Sequence, residues 1–302
     1  MSHQDSRAEY AERMHRVLAH IDGHIDQPLD LPRLAQVAHF SAFHFHRLFA
    51  AWMGETLGDY LRRRRLEVAA MRMIAQPRLP VLTVALSVGW GSGEAFARAF
   101  KTRFGCSPSA WRLSSKNDQA LRNVDQAQRR SRSDDGRSSQ PSLEPSMKVQ
   151  LIDRAPTRIA YRRHVGPYGA PIHAFWMNEV APWMQTHNLH ARPRYGISHD
   201  DPSITDPALC RYDAAVEVDA GFVPGAGAFV TTLPRGRYAS MPFFGSSQEI
   251  GPAWQSLLRD WLAGSGLQLD ARPCFEYYAP DARYEPESGR FGCDIVIPVM
   301  PL

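Results

Sequence analysis

Long apolar runs are missing from these 302 residues. No stretch of about 18 apolar side chains occurs, and the opening segment from Met1 to Arg16 is polar, so neither a membrane-spanning helix nor a secretory signal is expected. The expected home is the cytoplasm, with no membrane partner. Cysteine is scarce: Cys106, Cys210, Cys274 and Cys293 are far apart and form no CxxC pair. That spacing excludes a zinc site and a disulfide framework, and the four are read as reduced thiols. Nucleophile motifs, metal-ligand triads and phosphate loops are missing as well, and Gly225-Ala-Gly227 is too short for the last of these. No metal, no cofactor and no enzymatic activity are therefore expected. The hydrophobic fraction of 44% and the charged fraction of 22% exclude global disorder and a fibrous chain.

What is there divides in two. A chain this long exceeds what one core ordinarily sustains. Residues 7–115 carry 15 basic and 9 acidic side chains, a balance of +6, whereas residues 147–302 carry 14 and 16, a balance of −2. The positive field thus belongs to the N-terminal part, as in a polyanion-binding module joined to a separate ligand or partner module. Between Ser114 and Ser146 the composition turns to Ser, Gln, Arg, Asp and Pro, with Leu121, Val124 and Leu143 as the large aliphatics, too few to order a core. Three segments follow: a domain over 8–115, a flexible linker over 116–146 and a second domain over 147–302.

The first domain repeats internally. Leu31, Leu34, Ala35, Ala38 and Phe40 align with Val81, Val84, Ala85, Val88 and Trp90, fifty residues on. After one inserted residue, Gly91, the residues Ser41, Phe45, Arg47, Phe49 and Gly54 align with Ser92, Phe96, Arg98, Phe100 and Gly105. Each copy reads as a short helix, a tight turn and a second helix. Ala35 and Ala85 allow two helices to approach closely. Ser41 and Ser92 are natural N-caps, because a side-chain oxygen accepts from the orphaned amides of the following turn. Phe45 with Phe49, and Phe96 with Phe100, share one helix face at i, i+4 spacing and are expected in the core. Gly54 and Gly105 supply the permissive backbone that ends the helix.

The opposite face of each second helix is left for a partner. It carries Ala42, Phe43, His46 and Arg47 in the first copy and Gly93, Glu94, Ala97 and Arg98 in the second. Small residues at the helix start allow close approach to a groove, while Arg and His offer donors to phosphates or guanine edges. These eight are the candidate DNA contacts. The competing reading is a plain bundle of helical hairpins in which Arg47 and Arg98 are salt-bridge partners. Between the copies, Tyr60 to Met73 reads as one continuous helix with an apolar stripe of Leu61, Leu66, Ala69, Ala70 and Met73. Arg62, Arg63, Arg64 and Arg65 are consecutive and fan around it at about 100° per residue, so they cannot all face one phosphate chain. Such a helix would fix the separation of two reading heads, as binding to one face of DNA requires where major grooves recur every ~34 Å.

These strings resemble the AraC/XylS family of bacterial transcription regulators. The resemblance rests on Leu31-x-x-Leu-Ala35, Phe40-Ser-Ala-Phe-His-Phe-His-Arg-Leu-Phe49, Gly54-Glu-Thr56, Tyr60-x-x-x-x-Arg65-Leu66, Gly89-Trp-x-Ser92-x-Glu-Ala-Phe-Ala-Arg-Ala-Phe-Lys101 and Phe104-Gly-x-x-Pro108. It covers roughly residues 8 to 115. Ala42 stands where many members have Pro, and Gly93 is a poor helix former near the start of the second reading helix. The resemblance implies two helix-turn-helix units in neighbouring turns of the major groove.

The second domain is duplicated more faintly. Arg158, Ala160 and Gly166 align with Arg237, Ala239 and Gly245; Trp183 with Trp261; Arg192 and Pro193 with Arg272 and Pro273; Asp213 with Asp294. Each half reads strand, strand, helix, strand, strand. The helices, Ala170 to His187 and Gln248 to Gly264, are amphipathic and are expected to pack on a sheet. Through His164-Val-Gly-Pro-Tyr168, Tyr195-Gly-Ile-Ser-His-Asp-Asp-Pro202, Arg211-Tyr-Asp213, Cys274-Phe-Glu-Tyr-Tyr278 and Asp294-Ile-Val-Ile-Pro298, this half is similar to GyrI-like effector-binding domains. The resemblance implies two related halves holding a small molecule in a groove, with lipophilic and often cationic compounds as its ligands.

Strand alternation makes Glu276 the residue of interest. Phe275 and Tyr277 should point to one face, Glu276 and Tyr278 to the other, standing a carboxylate beside an aromatic ring. A ligand cation could supply both the charge partner and a cation–π contact. The competing reading satisfies Glu276 with a neighbouring arginine or at an exposed edge. Tyr168, Trp176 and Phe244 complete the candidate ligand set.

The expected fold is multidomain: an all-α double helix-turn-helix domain followed by an α+β duplicated GyrI-like domain. The expected function is transcription regulation, with duplex DNA, a small-molecule effector and RNA polymerase as partners. Two alternatives remain for the second domain: a hydrolase of a reactive small molecule, or a protein-binding module, the latter expected to lack an accessible Glu276.

Overall fold

The computed structural model describes residues 3–114, 148–270 and 272–301; the segment read as a linker, 116–146, lies outside the described residues. The chain divides into two compact units, 1–136 and 137–302, and each is taken by itself.

The first unit is helical: α1 (His3–Gly23), α2 (Leu31–Val37), α3 (Ala42–Met53), α4 (Leu57–Ala75), α5 (Val81–Ser87) and α6 (Gly93–Phe104), with helix again over 108–114. The boundaries follow from local chemistry. Asp30, Ser41, Thr56 and Ser92 are N-caps whose side-chain oxygens accept from Arg33, His44, Asp59 and Ala95 amides respectively. Gly54 and Gly105 close α3 and α6 in the left-handed region, at φ 73° and 74°. The expected core residues Phe45, Phe49, Phe96 and Phe100 are all buried, and with them the repeat positions Leu34, Ala35, Ala38, Val84, Ala85 and Val88. The apolar side of α1, Met14, Val17, Leu18 and Ile21, packs on the first repeat.

The spacer helix α4 buries the expected stripe and two charged residues besides, Arg64 and Glu67. Its arginines go separate ways. Arg63 pairs with Glu55 at 2.6 Å and Glu67 at 3.1 Å, Arg64 with Asp22 at 3.1 Å, and Arg65 donates to the carbonyls of Ile25 and Gln27. Arg62 alone of the four is exposed. Glu67 also receives Arg103 from α6 at 3.4 Å, so one buried carboxylate ties the second repeat to the spacer. Arg65 lies where a Cβ on Gly89 would stand, 2.8 Å from it. Gly89, at φ 80°, is therefore a close approach as well as a turn.

Among the described residues the second unit is one sheet with two long helices and a short 3-10 turn at Pro207–Leu209. Its strands are β1 (Gln150–Arg154), β2 (Thr157–Val165), β3 (Arg194–Ser198), β4 (Arg211–Glu217), β5 (Phe229–Leu233), β6 (Gly236–Gly245), β7 (Leu267–Leu269), β8 (Phe275–Tyr278), β9 (Tyr284–Glu285) and β10 (Arg290–Pro301). The order is β1-β6-β10-β8-β3-β4-β2-β5, with β7 and β9 also on β10. The halves are symmetric about the β3–β8 pair and exchange their first strands. β1, from the first half, pairs with β6 of the second, and β5, from the second, pairs with β2 of the first.

Helix α7 spans 170–186 as Ala170–Phe175, a π-turn at Trp176–Val180 and Ala181–Thr186. Helix α8 spans 250–264 in the same way, with its π-turn at Leu257–Trp261. Both cover one face. Phe175, Val180, Trp183 and Met184 pack on Ala160, Ala214 and Val216, while Leu257 and Leu262 pack on Ala239, Met241, Ile295 and Ile297. The opposite face buries Ile159, Tyr161, Tyr195, Ile197, Tyr238, Phe275 and Val296.

Candidate DNA interface and ligand cavity

The helices α3 and α6 present the outward faces expected of them. His46, Arg47, Glu94 and Arg98 are exposed, and Ala42, Gly93 and Ala97 are half-buried. The side chain of Phe43 lies outside the described residues. Neither Arg47 nor Arg98 forms an ion pair among the described residues, unlike Arg63, Arg64 and Arg103. Gly93 sits at the first position of α6, where helix propensity matters least, and a Cβ there would come within 3.3 Å of Leu82 Cδ1. Its smallness fits the packing of α5 against α6.

In the second unit, register decides which side chains meet. Gly196 on β3 pairs with Glu276 on β8, and Arg194 with Tyr278. Glu276 in turn pairs with Ile295 on β10, which places Arg194, Gly196, Glu276 and Tyr278 on the face covered by the helices. There Arg194, Glu276 and Tyr278 line a cavity of about 470 Å³, together with Tyr168, Trp176, Tyr212, Trp254 and Phe291.

Glu276 is 8% exposed and sits on a central strand pair, not at an edge. Its hydrogen-bond partners are neutral. Tyr278 donates to Oε2 at 2.8 Å, Trp254 Nε1 to Oε1 at 3.3 Å and Tyr212 to Oε2 at 3.5 Å. Trp176 Nε1 donates to the Tyr212 hydroxyl at 3.0 Å, so a second indole reaches the carboxylate through a tyrosine. Trp176 comes from α7 and Trp254 from α8, so the two halves contribute one tryptophan each. Burial raises the Glu276 carboxyl above the ordinary carboxylate range, the three donors acting in the opposite direction. Burial and the neighbouring carboxylate push the Tyr212 and Tyr278 hydroxyls far up, so both remain protonated donors.

Gly196 is why the carboxylate fits. A Cβ there would lie 2.6 Å from Glu276 Oε2 and closer still to the Tyr212 hydroxyl. At the equivalent position of the other half stands Glu276 itself, so the duplicated site holds one carboxylate where a strict repeat would hold two. Residue order alone gave no sign of this, although the Arg192-Pro193 and Arg272-Pro273 correspondence pairs the two positions. Trp254, Tyr212 and Phe291 were likewise missed, because each reads locally as an ordinary core aromatic.

Of the expected ligand residues, Glu276, Tyr278, Tyr168 and Trp176 come together. Tyr168 contributes its ring to the wall while its hydroxyl is held by the Arg211 carbonyl at 2.6 Å. Phe244 does not join them. It pairs with Gly292 and therefore points to the sheet face away from Glu276, its ring beneath the guanidinium groups of Arg283 and Arg290. Its neighbour Phe243 has the right parity and packs on Phe291, 5.8 Å between centroids.

Two capped reading helices in one unit and an aromatic cavity around a buried acid in the other define a DNA-binding transcription regulator with a small-molecule-binding domain. The model of the helix-turn-helix domain matches residues 34–114, and that of the GyrI-like small molecule binding domain matches residues 147–300. The regulatory protein SoxS of Escherichia coli (strain K12) is 38% identical over 96 residues, which span 32% of this chain and 89% of that protein. The transcriptional regulator Rob of Salmonella typhimurium is 38% identical over 100 residues, 33% of this chain and 34% of that protein. A solved structure, SAV2435 bound to tetraphenylphosphonium, is similar with TM-score 0.37 and 18% identity over 51% of this chain and 94% of that one. The chain belongs to the AraC-type transcription regulators and carries a GyrI-like small-molecule-binding domain. Among the described residues no helix is long and apolar enough to cross a membrane.

Proposed function

We propose that the chain acts in the cytoplasm, binding duplex DNA through α3 and α6 under the control of a lipophilic, aromatic cation held at Glu276. Ala42 and Gly93 let the helix starts approach the groove; Phe43, His46, Arg47, Glu94, Ala97 and Arg98 form the reading faces. Ligand in the cavity changes how the first unit engages DNA or RNA polymerase.

The observation that carries the effector reading is the state of Glu276: a carboxylate walled by aromatic rings, with three neutral donors and no cationic partner among the described residues. Such a group is costly to desolvate alone and gains most from a cation that arrives with its own apolar surface. Trp176, Trp254 and Tyr278 add cation–π attraction to the same charge. Calorimetric titration of a matched cationic and neutral ligand pair tests this. The cation should bind the natural protein at least about tenfold tighter, and Glu276→Gln should erase the difference while leaving DNA binding unchanged. Equal affinities for the natural protein would overturn the cation reading. Selection of DNA from a random pool, with and without the cation, tests the coupling.

A further inference from the structure

The charged side chains that line the cavity are Glu276, Arg194 and Arg283. Arg283 is accounted for: it is largely exposed, pairs with Glu285 and stacks on Phe244 at 4.4 Å. Arg194 is not. It rises from β3 on the same face as Glu276, half-buried, and its Nε is buried without a hydrogen-bond partner. No carboxylate pairs with it among the described residues. Its guanidinium lies 5.9 Å from the centroid of Tyr278, and Tyr278 in turn donates to Glu276. The tyrosine therefore stands between acid and base, which do not neutralise each other. Burial lowers the Arg194 pKa with only Tyr278 acting against it, a sign that the guanidinium waits unpaired in an apolar wall.

A receptor for a plain cation gains nothing from a second, positive side chain in the same cavity, which would repel the ligand. We infer that Arg194 is a second subsite, built for an anionic group, and that the effector is a dipolar aromatic molecule with its cation at Glu276 and a carboxylate-like group at Arg194. The guanidinium fork suits a planar carboxylate, which can accept two parallel N–H donors. This inference rests on the cation reading of Glu276 and goes further in naming the ligand class.

The test uses the full chain and two probes: a biphenyl with trimethylammonium on one ring and carboxylate on the far ring, and its methyl ester. Both keep the cation and the apolar body; the ester lacks the anion. Calorimetry on the natural protein should give the carboxylate form at least about tenfold tighter binding than the ester. Arg194→Met keeps the bulk and removes the charge. It should bring the ratio within about twofold, with ester affinity unchanged or higher, and Arg194→Lys should restore part of the preference. Ester affinity reports on the integrity of the cavity, so a misfolded variant would be recognised by its loss. Ester binding that depends on Glu276 with no gain from the carboxylate overturns this inference alone. The same holds if the carboxylate gain persists in Arg194→Met. Failure of both probes to bind overturns the cation reading and this inference with it.

Discussion

Glu276 and Gly196 face each other across β8 and β3, and the acid occupies the space that the glycine leaves. Gly196→Ala would put a methyl group into contact with both Glu276 Oε2 and the Tyr212 hydroxyl, neither of which ends a freely moving chain. The expected result is a loss of about 1 to 3 kcal/mol in stability, as for overpacking in general, together with weaker cation binding; thermal melts and calorimetry read the two. Glu276→Gln should act in the opposite sense on the ligand-free protein. The folded state raises the pKa of this carboxyl, so its contribution to stability is fully present below its unfolded value and is lost as pH rises through the folded one. The glutamine variant carries no such loss. It should therefore melt close to the natural protein in acid and increasingly above it as the pH is raised to neutrality, the tyrosine hydroxyls turning to accept from the new amide. A melting point that does not separate with pH would mean that the carboxylate is already satisfied. Cation affinity has the converse dependence: it is greatest where Glu276 is ionised and falls as acid protonates it.

Among the helices, similar residues do different work because of their place on the cylinder. Arg47 and Arg98 are exposed and lack ion pairs among the described residues, whereas Arg63 meets Glu55 and the buried Glu67. Arg47→Ala should relax sequence choice in one half of the DNA site by about 1 to 3 kcal/mol and Arg98→Ala one helical turn away, with melting points unchanged. Arg63→Ala should do the reverse, costing on the order of 2 kcal/mol in stability with selectivity intact, since Arg64 and Arg103 still partner Glu67. Binding selection and thermal denaturation of the three variants separate the roles. The repeat, its serine caps, its glycine stops and its phenylalanine pairs were legible in the sequence because each is a local rule with a short period. The fate of four consecutive arginines was legible only as a fan, since most of their partners lie off that helix, in loops or on α1, up to 42 residues away. In the sheet, alternation correctly put Glu276 beside Tyr278 but could not choose between Phe243 and Phe244, a matter of register with a distant strand. The π-turns in α7 and α8 left no local mark either; each inserts within an amphipathic pattern that reads as ordinary helix.

At the scale of the molecule, charge and connectivity constrain each unit separately. The basic first unit should bind duplex DNA as residues 1–115 alone, with affinity falling steeply between roughly 50 and 200 mM salt as condensed counterions are released; a flat response would count against phosphate contact. The second unit is constrained by strand exchange. Sequence duplication suggests two modules, each strand, strand, helix, strand, strand, that could fold side by side. The pairing contradicts that independence, because β1 finds its partner β6 in the other half and β5 finds β2. A half expressed alone would leave its first strand without a partner and expose the inner edge strand, β3 or β8, with unpaired backbone groups and aromatic residues beside them. The cavity divides along the same line: Trp176, Arg194 and Tyr212 come from the first half, Trp254, Glu276 and Tyr278 from the second. A cut in the β4–β5 connection should therefore give two fragments that are each unfolded or aggregated alone, yet regain sheet structure and cation binding when refolded together. Circular dichroism and calorimetry on the fragments and their equimolar mixture measure this. A single half that melts cooperatively as a monomer would show that the exchange adds to stability without being required for folding.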